Sequence, residues 1–316
     1  MSVKEKTKRN EHQKRGTTVS VDFGVAEREL FCGPDDVRKV IKPRNRFSSK
    51  RDYGYVLIVG GSDVYSGAPA LAALAALRTG AGVSFVAAPD AVANVIRSFS
   101  PDLIVYPLRG SFVTVAHVDY VREILGRVNS VVLGPGIGTH PETRRAVWGI
   151  VEAVKEAGLP MVIDADAITS LKGNLHRIRD SRLVLTPNSG EFRAISGLKA
   201  ADDWRDKARP AMGFARKVGC TLLLKGHHTV ITDGEVLRVN RTGNPGMATG
   251  GSGDVLSGIV AAFLAQGQPP LLAAAAGAYV HGRAGDLVMK ERGFHGMASD
   301  ILEKVPAVLK PFDRTL

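Results

Sequence analysis

Two cysteines in 316 residues, Cys32 and Cys220, form no C-x-x-C and no metal-ligand spacing. Disulfide staples and cysteine-held metals are therefore excluded as organising features, and reduced thiols of a cytoplasmic protein are the expectation. Long hydrophobic runs are missing as well. No segment reaches the ~18 uncharged apolar residues that a membrane helix requires, and the stretch near Leu271 to Val280 is short and alanine-rich. The basic N-terminus has no apolar stretch behind it, which argues against a secretory signal. No G-x-x-x-x-G-K-S/T occurs, so a P-loop is excluded. Gly134-Pro-Gly-Ile-Gly138 follows a strand pattern but departs from G-x-G-x-x-G. A dinucleotide would thus bind as a substrate and not in a Rossmann groove.

Negative charge is the scarcer sign: 31 acidic residues face 42 basic ones, a net charge of +11. Part of the excess sits at Lys4, Lys6, Lys8, Arg9, Lys14 and Arg15, in an arm with little apolar content. Residues 1–24 read as a basic, mobile tail, solubilising in preference to nucleic-acid-binding, and residues 25–316 as one domain. The remaining excess suits polyanionic small ligands such as nucleotides.

Strand and helix signals alternate from residue 50 onward. Apolar runs at 55–59, 83–87, 103–106, 130–133, 160–164, 182–186 and 221–224 read as strands. Helical patterns fall at 66–78, 118–125, 141–157 and 201–218. Residues 229–239 read as a hairpin turning at Asp233-Gly234, and two helices, 254–266 and 271–290, close the chain. Such alternation predicts a three-layer α/β/α sandwich with a mainly parallel sheet. Glycines directly follow several strands, at Gly60, Gly134 and Gly226, which places these turns on one ligand-binding rim.

The most informative stretch runs from Asn240 to Asp254 and ends Thr249-Gly-Gly-Ser-Gly-Asp254. Gly250, Gly251 and Gly253 let a ligand approach the backbone, and a helix pattern begins at once. Open N–H groups and the positive end of a helix dipole make an anion hole. Asp254 there fits either a helix-start residue after a flexible loop or a base that takes a proton from a hydroxyl attacking a phosphoryl group held by the amides; the second glycine cluster at Gly243 and Gly246 favours the base. Asn188 and Glu191, three apart after a strand, fit either a magnesium-supporting acid or a helix cap with Glu in the first turn. Asp164 and Asp166 could orient magnesium or a ribose, or cap a helix near Ala167. His227 and His228 would point to opposite faces if in a strand, and His281 reads as a packing histidine.

Residues 242–254, with Ser66–Gly82, Leu133–Gly138 and Lys225-Gly226, resemble the signatures of the NAD(P)H-hydrate dehydratases of the ribokinase-like superfamily. The resemblance spans residue 50 to the C-terminus. It implies a ribokinase-like fold and repair of hydrated NADH or NADPH, with ADP or ATP as phosphoryl donor and Mg2+ near the phosphates. Asp254 is implied as base, with Gly251, Ser252 and Gly253 stabilising the transferred group. Gly67, Ala68, Gly136, Gly138, Asn188, Ser189, Gly190 and Glu191 are implied to face the substrate. Lys225, Gly226, His227, His228 and Thr229, with Asn244, Gly246, Met247, Thr249, Gly250, Gly251 and Gly253, are implied at the nucleotide. The Asn188-Ser189-Gly190-Glu191 run replaces a bacterial His-Pro-Gly-Glu. Some fifty residues precede the first strand, too few for the epimerase often fused there, so a separate epimerase is the expected partner and a tetramer the expected assembly. The rival is a vitamin-alcohol kinase of the same superfamily.

Overall fold

The computed structural model describes residues 27–316, and the expected tail at 1–24 lies outside the described residues. Helices α1 (Glu27–Leu30) and α2 (Pro34–Val40) precede β1 (Tyr55–Val59). There follow α3 (Gly67–Arg78), β2 (Val83–Pro89), α4 (Asp90–Ser98), β3 (Ile104–Leu108), α5 (Val118–Leu125) and β4 (Ser130–Leu133). Next come α6 (Pro141–Glu156), β5 (Met161–Ile163), α7 (Asp166–Ser170), β6 (Leu183–Leu185), α8 (Ser189–Ser196) and α9 (Trp204–Val218). The chain then forms β7 (Thr221–Leu224), β8 (Thr229–Thr232), β9 (Leu237–Asn240), α10 (Ser252–Ala265), α11 (Pro270–Arg292) and α12 (Ala298–Leu309).

The strands form one nine-stranded sheet in the order β3-β2-β1-β4-β5-β6-β7-β8-β9. Pairing is parallel from β3 through β7. It turns antiparallel at β8 and β9, the expected hairpin. Val56 and Ile58 of β1 belong to a core shared with α3, α10, α11 and α12, whereas Leu57 and Val59 belong to one shared with α5, α6, α8 and α9. Both faces are covered, which is why the strands are apolar without alternation. No helix among the described residues is long and apolar enough to cross a membrane.

Helix α10 is the axis of the site. From Val255 to Ala265 it is buried on every side, wedged between the sheet and α3. The approach is close: a Cβ on Gly258 would lie 2.1 Å from the carbonyl oxygen of Ala72. Gly258→Ala must push α3 and α10 apart. The expected result is a loss of about 1–3 kcal/mol in denaturant unfolding, and an unchanged midpoint would contradict this packing.

Besides the short α1, helices α4 and α12 were not anticipated. Helix α4 is only nine residues long and starts directly after β2. Helix α12 holds Pro306 in its interior, and proline ordinarily signals a break. Burial of Ile301, Leu302, Val305 and Leu309 on one face overrides that signal. The chain is therefore closed by three long helices and not by two.

Candidate active site

Because β5, β6 and β7 run parallel, their carboxyl ends deliver three turns to one rim. The turn after β5 carries Asp164, that after β6 carries Asn188 to Glu191, and that after β7 carries Lys225 to His228. The Lys225 N–H donates to the Pro187 carbonyl at 2.8 Å, tying two of these turns together. Lys225 Nζ donates to Asp164 Oδ1 at 2.9 Å. Asp164 is thus not the helix cap that its position suggested; it is the buried half of an ion pair, with its side chain 2% exposed. The next residue, Ala165, is the one non-glycine among the described residues with positive φ, at 51°. Backbone strain of this kind persists where the surroundings over-determine it, commonly at functional sites.

The start of α10 faces this pair. Gly251 caps the helix in the left-handed region, φ 89°. The Ser252 N–H reaches back to the Thr249 carbonyl at a long 3.4 Å. The N–H groups of Gly251 and Gly253 have no acceptor among the described residues. A Cβ on Gly253 would sit 3.2 Å from Lys225 Nζ and 3.7 Å from Asp164 Oδ2. An open helix start and a lysine thus converge, the arrangement that binds anions.

Three carboxylates crowd this one lysine. Burial raises Asp254 to about 7, the negative charge of Asp164 adds to the rise, and Lys225 opposes it. Glu191 is also raised, first by burial and then by its acidic neighbours, against the pull of Lys225. Burial works against the Lys225 charge, but Asp164, Glu191 and Asp254 outweigh it and raise its pKa. Among the described residues no group of three His, Cys, Asp or Glu side chains is placed to hold a metal alone. The donor set fits an ion such as magnesium, which keeps water and phosphate ligands and uses few carboxylates.

In front of these groups opens a cleft of about 820 Å³. Its walls include Asn188, Ser189 and Gly190 from one turn, and Lys225, Gly226, His227 and Thr229 from the next. Asn244, Met247, Thr249, Ser252 and Gly253 complete the anticipated lining. Glu191, Asp254, His228, Gly246, Gly250 and Gly251 do not line it. Glu191 and Asn188 form a reciprocal cap: the Asn188 N–H donates to Glu191 Oε2 at 2.8 Å, and the Glu191 N–H donates to Asn188 Oδ1 at 2.9 Å. The Gly246 N–H donates to Asn244 Oδ1 at 3.0 Å. His227 and His228 lie in a turn and not in a strand, with ring centroids 4.4 Å apart. The opposite-face expectation fails because strand geometry ends at Leu224.

The expected substrate-side residues gather elsewhere on the rim, beside the junction of β1 and β4. A Cβ on Gly136 would meet that of Ala68 at 3.2 Å, and one on Gly138 would lie 3.7 Å from Ser62 Oγ. Gly67 lines a separate groove with Leu71 and Leu74. Leu71 links the two regions, since a Cβ on Gly251 would lie 2.6 Å from its Cδ1.

Sequence reasoning missed one wall of the cleft: Asn240, Thr242, Leu256, Ala278, His281 and Gly282. The available signal was glycine inside a helix. Cβ atoms on Gly282 and Gly285 of α11 would lie 2.2 Å from Thr242 Oγ1 and from Met247 Sδ respectively. His281 is buried, as expected of a packing histidine, yet it borders the cleft, and its Nε2 lies 3.2 Å from Ser252 Oγ. Burial lowers it to about 4, so it is neutral at physiological pH.

Sheet, helix start and rim carboxylates together define a ribokinase-like α/β enzyme with a nucleotide-sized cleft. A family model described as NAD(P)H-hydrate dehydratase matches residues 56–307. The bifunctional NAD(P)H-hydrate repair enzyme of Pyrobaculum aerophilum is 43% identical over 301 residues, covering 94% of this chain and 59% of that protein. The chain thus spans somewhat more than half of that relative's length. The ADP-dependent (S)-NAD(P)H-hydrate dehydratase of Cenarchaeum symbiosum is 38% identical, over 90% of this chain and 98% of its own. The ADP/ATP-dependent NAD(P)H-hydrate dehydratase of Bacillus subtilis, co-crystallized with ATP and Mg2+, superposes with a TM-score of 0.75 at 26% identity. That match covers 91% of this chain and 100% of the solved one. The chain belongs to the NAD(P)H-hydrate dehydratase family.

Proposed function

We propose that this chain restores hydrated NADH or NADPH to the reduced dinucleotide, using ADP or ATP as phosphoryl donor. The observation that carries the reading is the convergence of the open α10 amides, Lys225 and Asp254, whose carboxyl burial raises to about 7. Hydroxide is a poor leaving group. Asp254 accepts the proton of the ring hydroxyl as its oxygen attacks the terminal phosphoryl group, and the bond from that phosphorus to the nucleotide oxygen breaks. The ring nitrogen lone pair then expels inorganic phosphate, and loss of a proton from the adjacent ring carbon restores the double bond. The amides of Gly251, Ser252 and Gly253 stabilise charge on the moving group. A magnesium ion, when bound, would neutralise the nucleotide phosphates, and Glu191 would be the carboxylate to hold it, through water. Gly67, Ala68, Gly136 and Gly138 take the hydrated ring. An epimerase supplies the reactive hydrate form, and the assembly is a tetramer in the cytoplasm.

The test is incubation with hydrated NADPH and ADP, or ATP, followed by reduced-nicotinamide absorbance and free phosphate. Stoichiometric recovery of both is expected. A stable phosphorylated organic product would instead favour the vitamin-alcohol kinase, and no turnover with either donor would overturn the reading. The rate should rise with pH through an apparent pKa of about 7 as Asp254 ionises. A flat profile from pH 5.5 to 8.5 with chemistry rate-limiting would remove Asp254 as the base.

A further inference from the structure

The far ends of α3 and α10 frame a second cavity, of about 420 Å³. Helix α10 begins at the cleft and runs 14 residues to this end, so the two sites lie roughly 20 Å apart at 1.5 Å per residue. Its walls carry Lys42, Arg44, Arg78, Lys310 and Arg314 against one acid, Asp313. Among the described residues none of these five cations forms an ion pair.

Helix carboxyl ends attract cations by themselves, and that accounts for part of the cluster. Arg44 stacks on Tyr53, 3.8 Å from the ring centroid, and its Nη2 donates to the Gly80 carbonyl at 3.1 Å. It does not account for Gln266. This residue is 7% exposed and borders the cavity, and its Nε2 is buried without a hydrogen-bond partner. A buried donor left unpaired is costly, and native structures pair nearly all of them. Gly80, at φ 99°, lets the Arg44 guanidinium pack against its backbone, on the side that also faces Gln266. A Cβ there would lie 2.9 Å from Arg44 Nη2 and 4.0 Å from Gln266 Nε2.

The geometry points to an anion site at this end of the molecule, taking a phosphate-bearing small molecule held by Arg44 and the surrounding cations, with Gln266 in the wall beside it. Arg44 is preorganised by its stack on Tyr53, so little side-chain freedom is lost on binding. Lys42, Arg78, Lys310 and Arg314 surround the mouth and neutralise the remaining phosphoryl charge. The site is independent of the cleft and of the reaction proposed for it.

Inorganic pyrophosphate is the probe, titrated calorimetrically into the full chain at 0.15 M salt, where exposed charges more than ~8 Å apart are screened. Four further chains are compared: the surface pair Arg78→Gln with Arg314→Gln, the buried Gln266→Met, Arg44→Gln, and the cleft variant Lys225→Met. The expected result is binding by the native chain that weakens at least tenfold in the surface pair, in Gln266→Met and in Arg44→Gln, and persists in Lys225→Met. Thermal unfolding identifies any variant that fails to fold, and the exposed Arg78/Arg314 pair then decides. Absence of native binding overturns the proposal. So does binding indifferent to the Arg78/Arg314 pair, or binding abolished only by Lys225→Met, which would place the anion in the cleft. Equal binding of sulfate at matched ionic strength would show attraction by charge alone and would also overturn it.

Discussion

Asp254→Asn is expected to lower turnover by about 10²–10⁴-fold, the usual loss when a positioned base is removed, and to leave nucleotide affinity within about threefold. The same substitution should stabilise the fold. Burial and the neighbouring Asp164 hold Asp254 near 7 in the folded chain, above its ordinary 3.8. Between those values the folded chain keeps a proton that the unfolded chain has released. Stability from this group is therefore complete below about 4 and is lost as pH rises through about 7. Asn carries no such penalty. Its advantage should be near zero at pH 4 and reach a few kcal/mol, in order of magnitude, at pH 8. Melting curves of the two chains at both pH values decide this. Parallel pH dependence would mean that Asp254 is not held protonated, and turnover close to native would end its role as base.

Lys225→Met should produce the largest loss of stability at the site. The lysine stands among Asp164, Glu191 and Asp254, and its partner Asp164 is almost completely buried. Removing one partner of a buried pair leaves an uncompensated charge, at a cost of about 3–5 kcal/mol. Lys225 is itself partly exposed, which favours the lower end of that range. The loss should shrink in acid, as the stranded carboxylates take up protons. Asp254 should also titrate higher, because the cation that opposed its rise is gone, so residual activity should need more alkaline pH. Nucleotide affinity should fall tenfold or more. A Tm unchanged at pH 7.5 would show that the Asp164 pair is not coupled to the fold, and an unmoved acid limb would show that Lys225 does not act on Asp254.

Much of the architecture was legible because strand and helix patterns have different periods. The apolar runs beginning at Tyr55, Ser130 and Thr221 became strands over 55–59, 130–133 and 221–224. Helix α12 was illegible because its proline speaks against a helix, and only burial of its apolar face answers that. For Asp164 local position leaves a helix cap and a ligand-side role both open, because its partner lies 61 residues away. His281 looked like a packing residue because nothing nearby in the chain marks it as a cleft wall. Its link to Ser252 spans 29 residues.

By itself the sequence determined the repeating strand–helix order, the glycine-bearing helix start before Asp254 and the excess of basic charge. These are written in residue type and short-range spacing, which sterics and burial translate directly. Tertiary structure alone decided that Lys225, Asp164, Glu191 and Asp254 share one neighbourhood, and hence that a carboxylate titrates near neutrality. Desolvation and through-space charge depend on distances between turns far apart in the chain, and no local pattern encodes them.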